Sequence, residues 1–579
     1  MPFLELKRTL AREISNALNL ADLTPEVIFH DLANPPNPMM GHVALPTFKM
    51  AKTLKRPADQ IAHELCEKIK GAELVATPAG PYANFKWSTP NLFQKTIPQV
   101  LQQKDTYGTS TSGQGQTIAI EYCSPNVAKK LAFQHSRSTL IGAVLANIYR
   151  SQGYTLHRFN FVGDWGAQFA RLLAAFHQWG DKTKLQQATS SAATTSEAMD
   201  HLMEVYVKFH KVMETDPTQV EKANTWLKRL EEKDETAWGL WKSIRAVSVA
   251  AMTATLSRMS VDFDTVEGES AYIDAMESTL AEIKKRANAV ISEGAWIVEL
   301  EGISTPALIQ KRDGTTLYLT RDIAAAIARE ERLHFAKMLY VVSDQQRLHF
   351  QQLFGVVMKM GYAWGERCTH VGFGTVLFGS QKMSTREGRV VLLDEVLDQA
   401  HNLALKACTE KNPDLKDKDS VAEAVGMGAF IFGQLSNHRT RDIHFSWEQV
   451  LALDGETGPY VQYALVRCRS LLEKALEKKE TIAHGPIDTD FSSEEDALIL
   501  QIARFRGELD KAIREDEPFY LTSYLIDLAK AYSRFYFKMP VLQCTDDKQR
   551  SMRLSLVAAT GQTLENGLKL LNIQCPPQM

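Results

Sequence analysis

The sequence predicts an α/β Rossmann-type core with a helical insertion, a small α+β domain before it and an all-α helix bundle after it. Three observations predict this. An apolar run, Thr117-Ile118-Ala119-Ile120, meets a polar break at Ser124-Pro125-Asn126, and a helical stripe of Leu140, Ile141, Val144, Leu145 and Ile148 then starts near His135. Two more strand patterns, 154–161 and 338–342, also end in polar turns, Val162-Gly163-Asp164-Trp165-Gly166 and Ser343-Asp344-Gln345-Gln346. Long helical periodicities fill most of 167–314 and nearly everything after Leu393.

Taken in order, residues 1–110 carry helical patterns near 3–19 and 57–70 around an Asn/Pro loop at 34–38, then a turn and strand at 80–87. Lys49, Lys52, Lys55 and Arg56 read either as a solvated face or as phosphate contacts. The Gly/Ser/Thr-rich stretch 106–115 reads as a linker. The core, 111–380, starts at Thr117. Its first strand feeds a helix over about 135–151, and free N–H groups at such a helix start favour phosphate. Lys129, Lys130 and His135 bring cations and a titratable group to the same turn. Trp165 reads as packing, and Asp164 as a residue behind the site.

The stretch of about 167–314 reads as an insertion, with a low-complexity loop at 187–197, helices over 201–215, 220–232 and 235–259, and short strands near 295–319. Tyr318 to Asp322 is expected to be a strand running into a helix that ends near Leu333. A turn at 454–463 opens a long helix with Arg467 and Arg469; Lys474, Lys478 and Lys479 interleave with Glu473 and Glu477 as a solvated, ion-paired face.

Composition narrows the classes. At 579 residues, roughly four domains of about 150 residues are expected. The net charge of −3 predicts no general affinity for nucleic acid, so any such contact must rest on local basic faces. No apolar run approaches the ~18–20 residues of a membrane span. The N-terminus, with Lys7, Arg8 and Arg12, is amphipathic and lacks a signal-peptide core. Seven scattered cysteines with no CxxC pair argue against a zinc knuckle or a disulfide framework and suit a reducing cytoplasm. Cys123 reads as a small packed residue.

Several segments, in order, resemble the arginyl-tRNA synthetases, a class I family. They are Ser124-Pro125-Asn126 with Ala128-Lys129, His135 with Arg137-Ser138-Thr139, Gly163-Asp164-Trp165-Gly166, Glu267-Gly268-Glu269-Ser270, Tyr318 to Asp322, 338–346, and Lys382-Met383-Ser384-Thr385. Thr385 stands where the general class I phosphate loop ends in Lys, and the resemblance implies that Lys129 supplies the missing charge. It further implies ATP and Mg2+ as cofactors, L-arginine and tRNA(Arg) as partners, no protein-held metal, and a monomer acting in the cytoplasm. The implied catalytic groups are His135, Lys129 and Lys382, with Gln134, Met383 and Ser384 joining them around ATP.

A guanidinium prefers planar carboxylates that accept paired hydrogen bonds. Asn126, Glu269, Tyr318, Asp322 and Gln346 are the implied arginine site; a helix cap is the alternative for Asp322. The resemblance makes 381–445 a helical stem-contact region and 446–579 an anticodon-binding bundle. Tyr460, Tyr536 and Met579 are its implied tRNA contacts, with bundle core as the alternative for Tyr536. One departure stands out: Ala132-Phe133-Gln134-His135 replaces the family's His-x-Gly-His, and Gln134 is expected to cover part of the lost donor. Two other readings are a synthetase-like paralogue serving another pathway and a catalytically dead tRNA-binding protein.

Overall fold

The computed structural model describes the whole chain except residues 1, 21, 38–39, 189–190, 379–380, 383–390, 453–454 and 486–488; for Pro2, Ala192, Phe378, Gln381 and Lys382 it describes the backbone alone. The run at Thr117 becomes β1 (Thr117–Glu121), the central strand of a five-stranded sheet. The others are β2 (Thr155–Val162), β3 (Thr265–Gly268), β4 (Lys337–Tyr340) and β5 (Cys368–His370). The order is β5-β4-β1-β2-β3 and every neighbouring pair is parallel. The topology therefore reverses between β1 and β4, which opens a crevice beyond their carboxyl ends.

The period of two decides the faces of this sheet. Ile118, Ile120 and Leu339 join one core, whereas Ala119, Met338 and Tyr340 join another. Helix α1 (His135–Ser151) packs Leu140, Ile141 and Val144 into the first core. Helices α3 (Tyr318–Leu333) and α4 (Arg347–Lys359) cover the opposite face with Leu319, Ile323, Phe350 and Leu353. Helix α2 (Glu235–Arg258) belongs to the excursion between β2 and β3.

Five readings change. Tyr318 to Asp322 is helical from its first residue; Leu319, Ile323 and Ala326 recur at helical spacing against the second core, a signal invisible in five residues alone. Leu317 occupies the cap position, so Asp322 caps nothing. The stretch 187–197 contains the start of helix Ala192–Thr215, with Ser191 and Thr194 forming a capping box, so its Ser/Thr content marks a helix start. Within 167–314, β3 is an edge strand of the main sheet, which leaves residues 167–258 as the helical excursion. Finally, 106–115 is tied down at its start: Tyr107 is buried, its hydroxyl donates to the Ile502 carbonyl at 2.9 Å, and Asn566 Nδ2 donates to the carbonyls of Lys104 and Tyr107.

The amino-terminal region is a three-stranded antiparallel sheet, Val43–Pro46, Tyr82–Trp87 and Leu74–Ala79 in spatial order, with flanking helices. Its Lys49 pairs with Asp31 and its Arg56 with Glu64, while Lys52 and Lys55 are exposed. Helices Gly458–Glu477, Ser493–Glu515, Phe519–Lys538 and Asp547–Leu570 form the carboxy-terminal bundle. Among the described residues no helix is long and apolar enough to cross a membrane.

Candidate active site

The turn after β1 is built from unusual backbone. Cys123, Ser124 and Ala128 all have positive φ, at 73°, 46° and 62°, a region that costs non-glycine residues energy. The surroundings hold them there. The Cys123 amide donates to Ser138 Oγ on α1, which donates to the Val341 carbonyl after β4, at 3.0 and 2.6 Å. The Ser124 amide donates to Asn160 Oδ1 on β2, and the Ala128 amide to Ser248 Oγ on α2. Asn126 bridges to Gly163, where a Cβ would run into Asn126 Oδ1, so any side chain there would displace that amide. Cys123 itself is buried and its thiol is pushed up to about 12 by that burial, as a packed residue should be.

A cavity of about 670 Å³ opens at this crevice. It brings together Asn126, Gln134, His135, Glu269, Tyr318, Asp322 and Gln346 from five separate segments of the sequence. His135 is the first residue of α1, and Gln134 before it makes no side-chain cap. His135 Nδ1 lies 2.9 Å from the Ala132 amide nitrogen and 3.1 Å from the Ala132 carbonyl oxygen, so this backbone fixes the ring and leaves Nε2 toward the cavity side. Burial, aided by Lys129, holds this histidine below its ordinary pKa, so the ring is neutral near pH 7.

Three acids line the cavity, and each already has a partner; that of Glu121 is the buried Arg329. Asp322 Oδ2 lies 2.6 Å from His349 Nε2. Glu269 Oε2 accepts from Arg321 at 2.9 Å, while burial pushes its pKa up to about 7 against the pull of that arginine. The Glu269 loop is fixed from behind by Asp164, which is fully buried, paired with Arg245 at 2.9 Å, and accepts from the Ser270 amide and hydroxyl. Trp165 packs among Trp238 and Trp241.

Other predicted residues lie elsewhere. Lys129 faces an adjoining hollow of about 90 Å³ that shares Asn126, Glu269 and Tyr318 with the main cavity; its ammonium sits 5.4 Å from the centre of the Tyr206 ring. Lys130 is paired with Asp200. The side chain of Lys382, together with Met383 and Ser384, lies outside the described residues. The chain that follows rejoins the site, since the Phe133 amide donates to the Val391 carbonyl and the Leu393 amide to the Leu131 carbonyl. Tyr460 bonds Ser533, Tyr536 lies beneath the Arg467 guanidinium, and Met579 packs on the small cluster around Leu415 and Val421; none of the three lines the cavity.

Sequence reasoning missed Glu121, Ser124, Arg137 and His349 as cavity residues. His349 had a signal: it follows Gln346 by three residues, the spacing of one helix face. Glu121, an acid ending an apolar strand, was also visible.

The chain is similar to known proteins over nearly its whole length. A family model described as tRNA synthetases class I (R), catalytic domain, matches residues 96–447. An arginine–tRNA ligase of Halothermothrix orenii is 40% identical over 583 residues, covering 100% of both chains. The chain belongs to the arginyl-tRNA synthetase family. The arginyl tRNA synthetase N terminal domain matches residues 5–87 and the DALR anticodon binding domain residues 461–579. An arginine–tRNA ligase of Clostridioides difficile is 41% identical over 573 residues, 98% of this chain and 99% of that one. The Thermus thermophilus arginyl-tRNA synthetase superposes with a TM-score of 0.82 at 25% identity, over 99% of this chain and 100% of that one.

Proposed function

We infer that this protein attaches L-arginine to tRNA(Arg), using ATP and passing through arginyl-adenylate. The observation that carries the reading is the lining of one cavity by both a bare helix N-terminus and carboxylates, Glu269 and Asp322 among them. An adenylate of arginine needs both, because it joins an anionic phosphate to a cationic guanidinium. In the first step the arginine carboxylate attacks the α-phosphorus and pyrophosphate leaves. In the second, a ribose hydroxyl of the tRNA 3′ end attacks the acyl carbon and AMP leaves. Positioning and charge stabilisation suffice, with no covalent enzyme intermediate.

Asp322, Glu269 and Tyr318 receive the guanidinium; Asn126 and Gln346 hold the α-amino and carboxylate end. His135 Nε2 and the Gln134 amide donate to the phosphates, with Lys129 and the loop of Lys382, Met383 and Ser384 adding charge and closure. Among the described residues no three His, Cys, Asp or Glu side chains are grouped as a metal cage. Mg2+ is assigned to the triphosphate, its common mode of binding. In the bundle, Tyr536 and the three-quarters-exposed Phe537 flank Arg467, a surface suited to unstacked bases, with Tyr460 nearby in sequence to Tyr463 on the same helix. Met579, packed as it is, acts through shape. The division into 1–110, 111–380, 381–445 and 446–579, a monomeric state and a cytoplasmic location complete the reading; all seven cysteines are free.

The test is aminoacylation of total tRNA, with the product typed by amino acid and by tRNA. Arginine on arginine tRNA alone supports the reading. No charging with arginine, or charging that ignores an altered anticodon, overturns it.

A further inference from the structure

We propose that His349 is a positioning residue for arginine: it holds the Asp322 carboxylate in the orientation that receives the guanidinium. The inference rests on the arginine-site reading above and goes beyond it. Asp322 stands on α3, one turn past the helix start, and His349 on the first turn of α4. The two helices meet so that Nε2 and Oδ2 are 2.6 Å apart, and both residues line the main cavity. The base under His349 is rigid: the next residue, Phe350, is buried and stacked on His370 at 4.6 Å and 17°, with Tyr340 of β4 at 5.2 Å.

Glu269 and Asp322 are held differently. Glu269 is paired with Arg321, a permanent cation, so part of its charge is cancelled before substrate arrives. An imidazole can donate from its neutral ring, so it can fix a carboxylate while leaving the negative charge to the ligand. Asp322 then keeps Oδ1 and one lone pair of Oδ2 in a set plane, which suits the planar fork of a guanidinium. Without His349, Asp322 would be free to turn about its side-chain torsions, and the fork would meet a carboxylate in several orientations.

The experiment is steady-state kinetics of ATP–pyrophosphate exchange with tRNA present, on the full-length enzyme. His349→Ala should raise the KM for arginine about tenfold, the effect of one lost hydrogen bond to a charged group, while the KM for ATP stays within about twofold. His349→Gln, which keeps an N–H donor near the Nε2 position, should restore most of the loss. In an Asp322→Asn background, His349→Ala should add little, because the group it orients has already been changed. An unchanged arginine KM in His349→Ala, equal losses for arginine and ATP, no rescue by Gln, or full additivity with Asp322→Asn would each overturn the proposal. The Asp322→Asn variant separates the two levels. If it leaves arginine use intact, the arginine-site reading fails; if it impairs arginine use while His349→Ala does not, only the role of His349 fails.

Discussion

At the scale of single residues, the turn before α1 lacks the side-chain donor that its family usually has. Ala132 cannot donate from its side chain and does not line the cavity, whereas Gln134, exposed and two positions on, does. Removing one transition-state donor from an active site typically costs about 10²–10³ in rate. The wild-type protein is therefore expected to charge tRNA at an ordinary synthetase rate, and Gln134→Ala to lose at least about tenfold in kcat. Undiminished turnover in that variant would leave the donor to another group. Glu269 gives a second prediction. With its pKa pushed up to about 7 by burial, it carries a proton below that pH and pairs poorly with a guanidinium. As pH rises through 7 the proton leaves, so kcat/KM for arginine should climb and then level off above it; Glu269→Gln should flatten this limb, read as a profile over about pH 6–8. The stability effect has the opposite sign: a carboxyl whose folded pKa is raised makes folding bind a proton, so this group's contribution falls as pH rises from its ordinary 4.5 through about 7. The identities of these residues were legible in the sequence. Their existing partners, Arg321 and His349, were not, because the chain segments that supply one acid and its partner are far apart: Glu269 meets Arg321 across 52 residues.

At the scale of elements, α3 is fastened to the sheet by charge as well as by apolar packing. Arg329 is fully buried and donates to Glu121 at the end of β1 and to Glu267 in β3, at 2.5 and 2.8 Å. Burial pushes Glu121 up; at Glu267 burial also acts upward, but Arg329 and the Tyr272 hydroxyl outweigh it and hold the group low. Replacing Arg329 with Met fills a similar volume but leaves Glu121 buried without its cation and Glu267 with Arg332 alone, and removing one partner of a buried pair costs about 3–5 kcal/mol. Urea unfolding of Arg329→Met should show that loss, and adding Glu121→Gln and Glu267→Gln should recover part of it. A triple variant as unstable as the single one would mean that the guanidinium acts through packing on Phe159 and Phe161 instead. This triad could not be read from the sequence. The helix period of α3 predicts which face is apolar, but not that an arginine on it faces two acids from other strands.

At the scale of the whole molecule, one elbow joins the core to the bundle. Asp516, in the left-handed region with φ 48°, ends helix Ser493–Glu515. Its carboxylate accepts from Tyr149 of α1 at 2.7 Å and from Lys337 of β4 at 2.6 Å. Next to it, Glu517 accepts from the Arg439 amide and pairs with His438, while Arg439 and Gln434 give their carbonyls to Arg137 of α1. Asp516→Asn keeps the backbone preference, since Asn also tolerates this region, and removes the charge. It should lower stability by about 1–3 kcal/mol, the range for hydrogen bonds to a charged group, measured as a shift in the denaturation midpoint. A shift seen by probes in both the core and the bundle would place the elbow at their junction; a shift confined to one would not.

The sequence by itself determined the parallel α/β core, the helical bundle, the strand–turn–helix at the candidate site and most of the residue types there, because these are local signals: period, turn chemistry and short motifs. Tertiary structure alone decided that Tyr318 begins a helix, that Thr265–Gly268 completes the sheet, and that Lys129 faces a side hollow beside Tyr206. It also decided which acids arrive already partnered. The physical reason is the same in each case: a short segment's conformation and a charged group's partner are set by surfaces and charges brought from distant parts of the chain, and no local pattern encodes them.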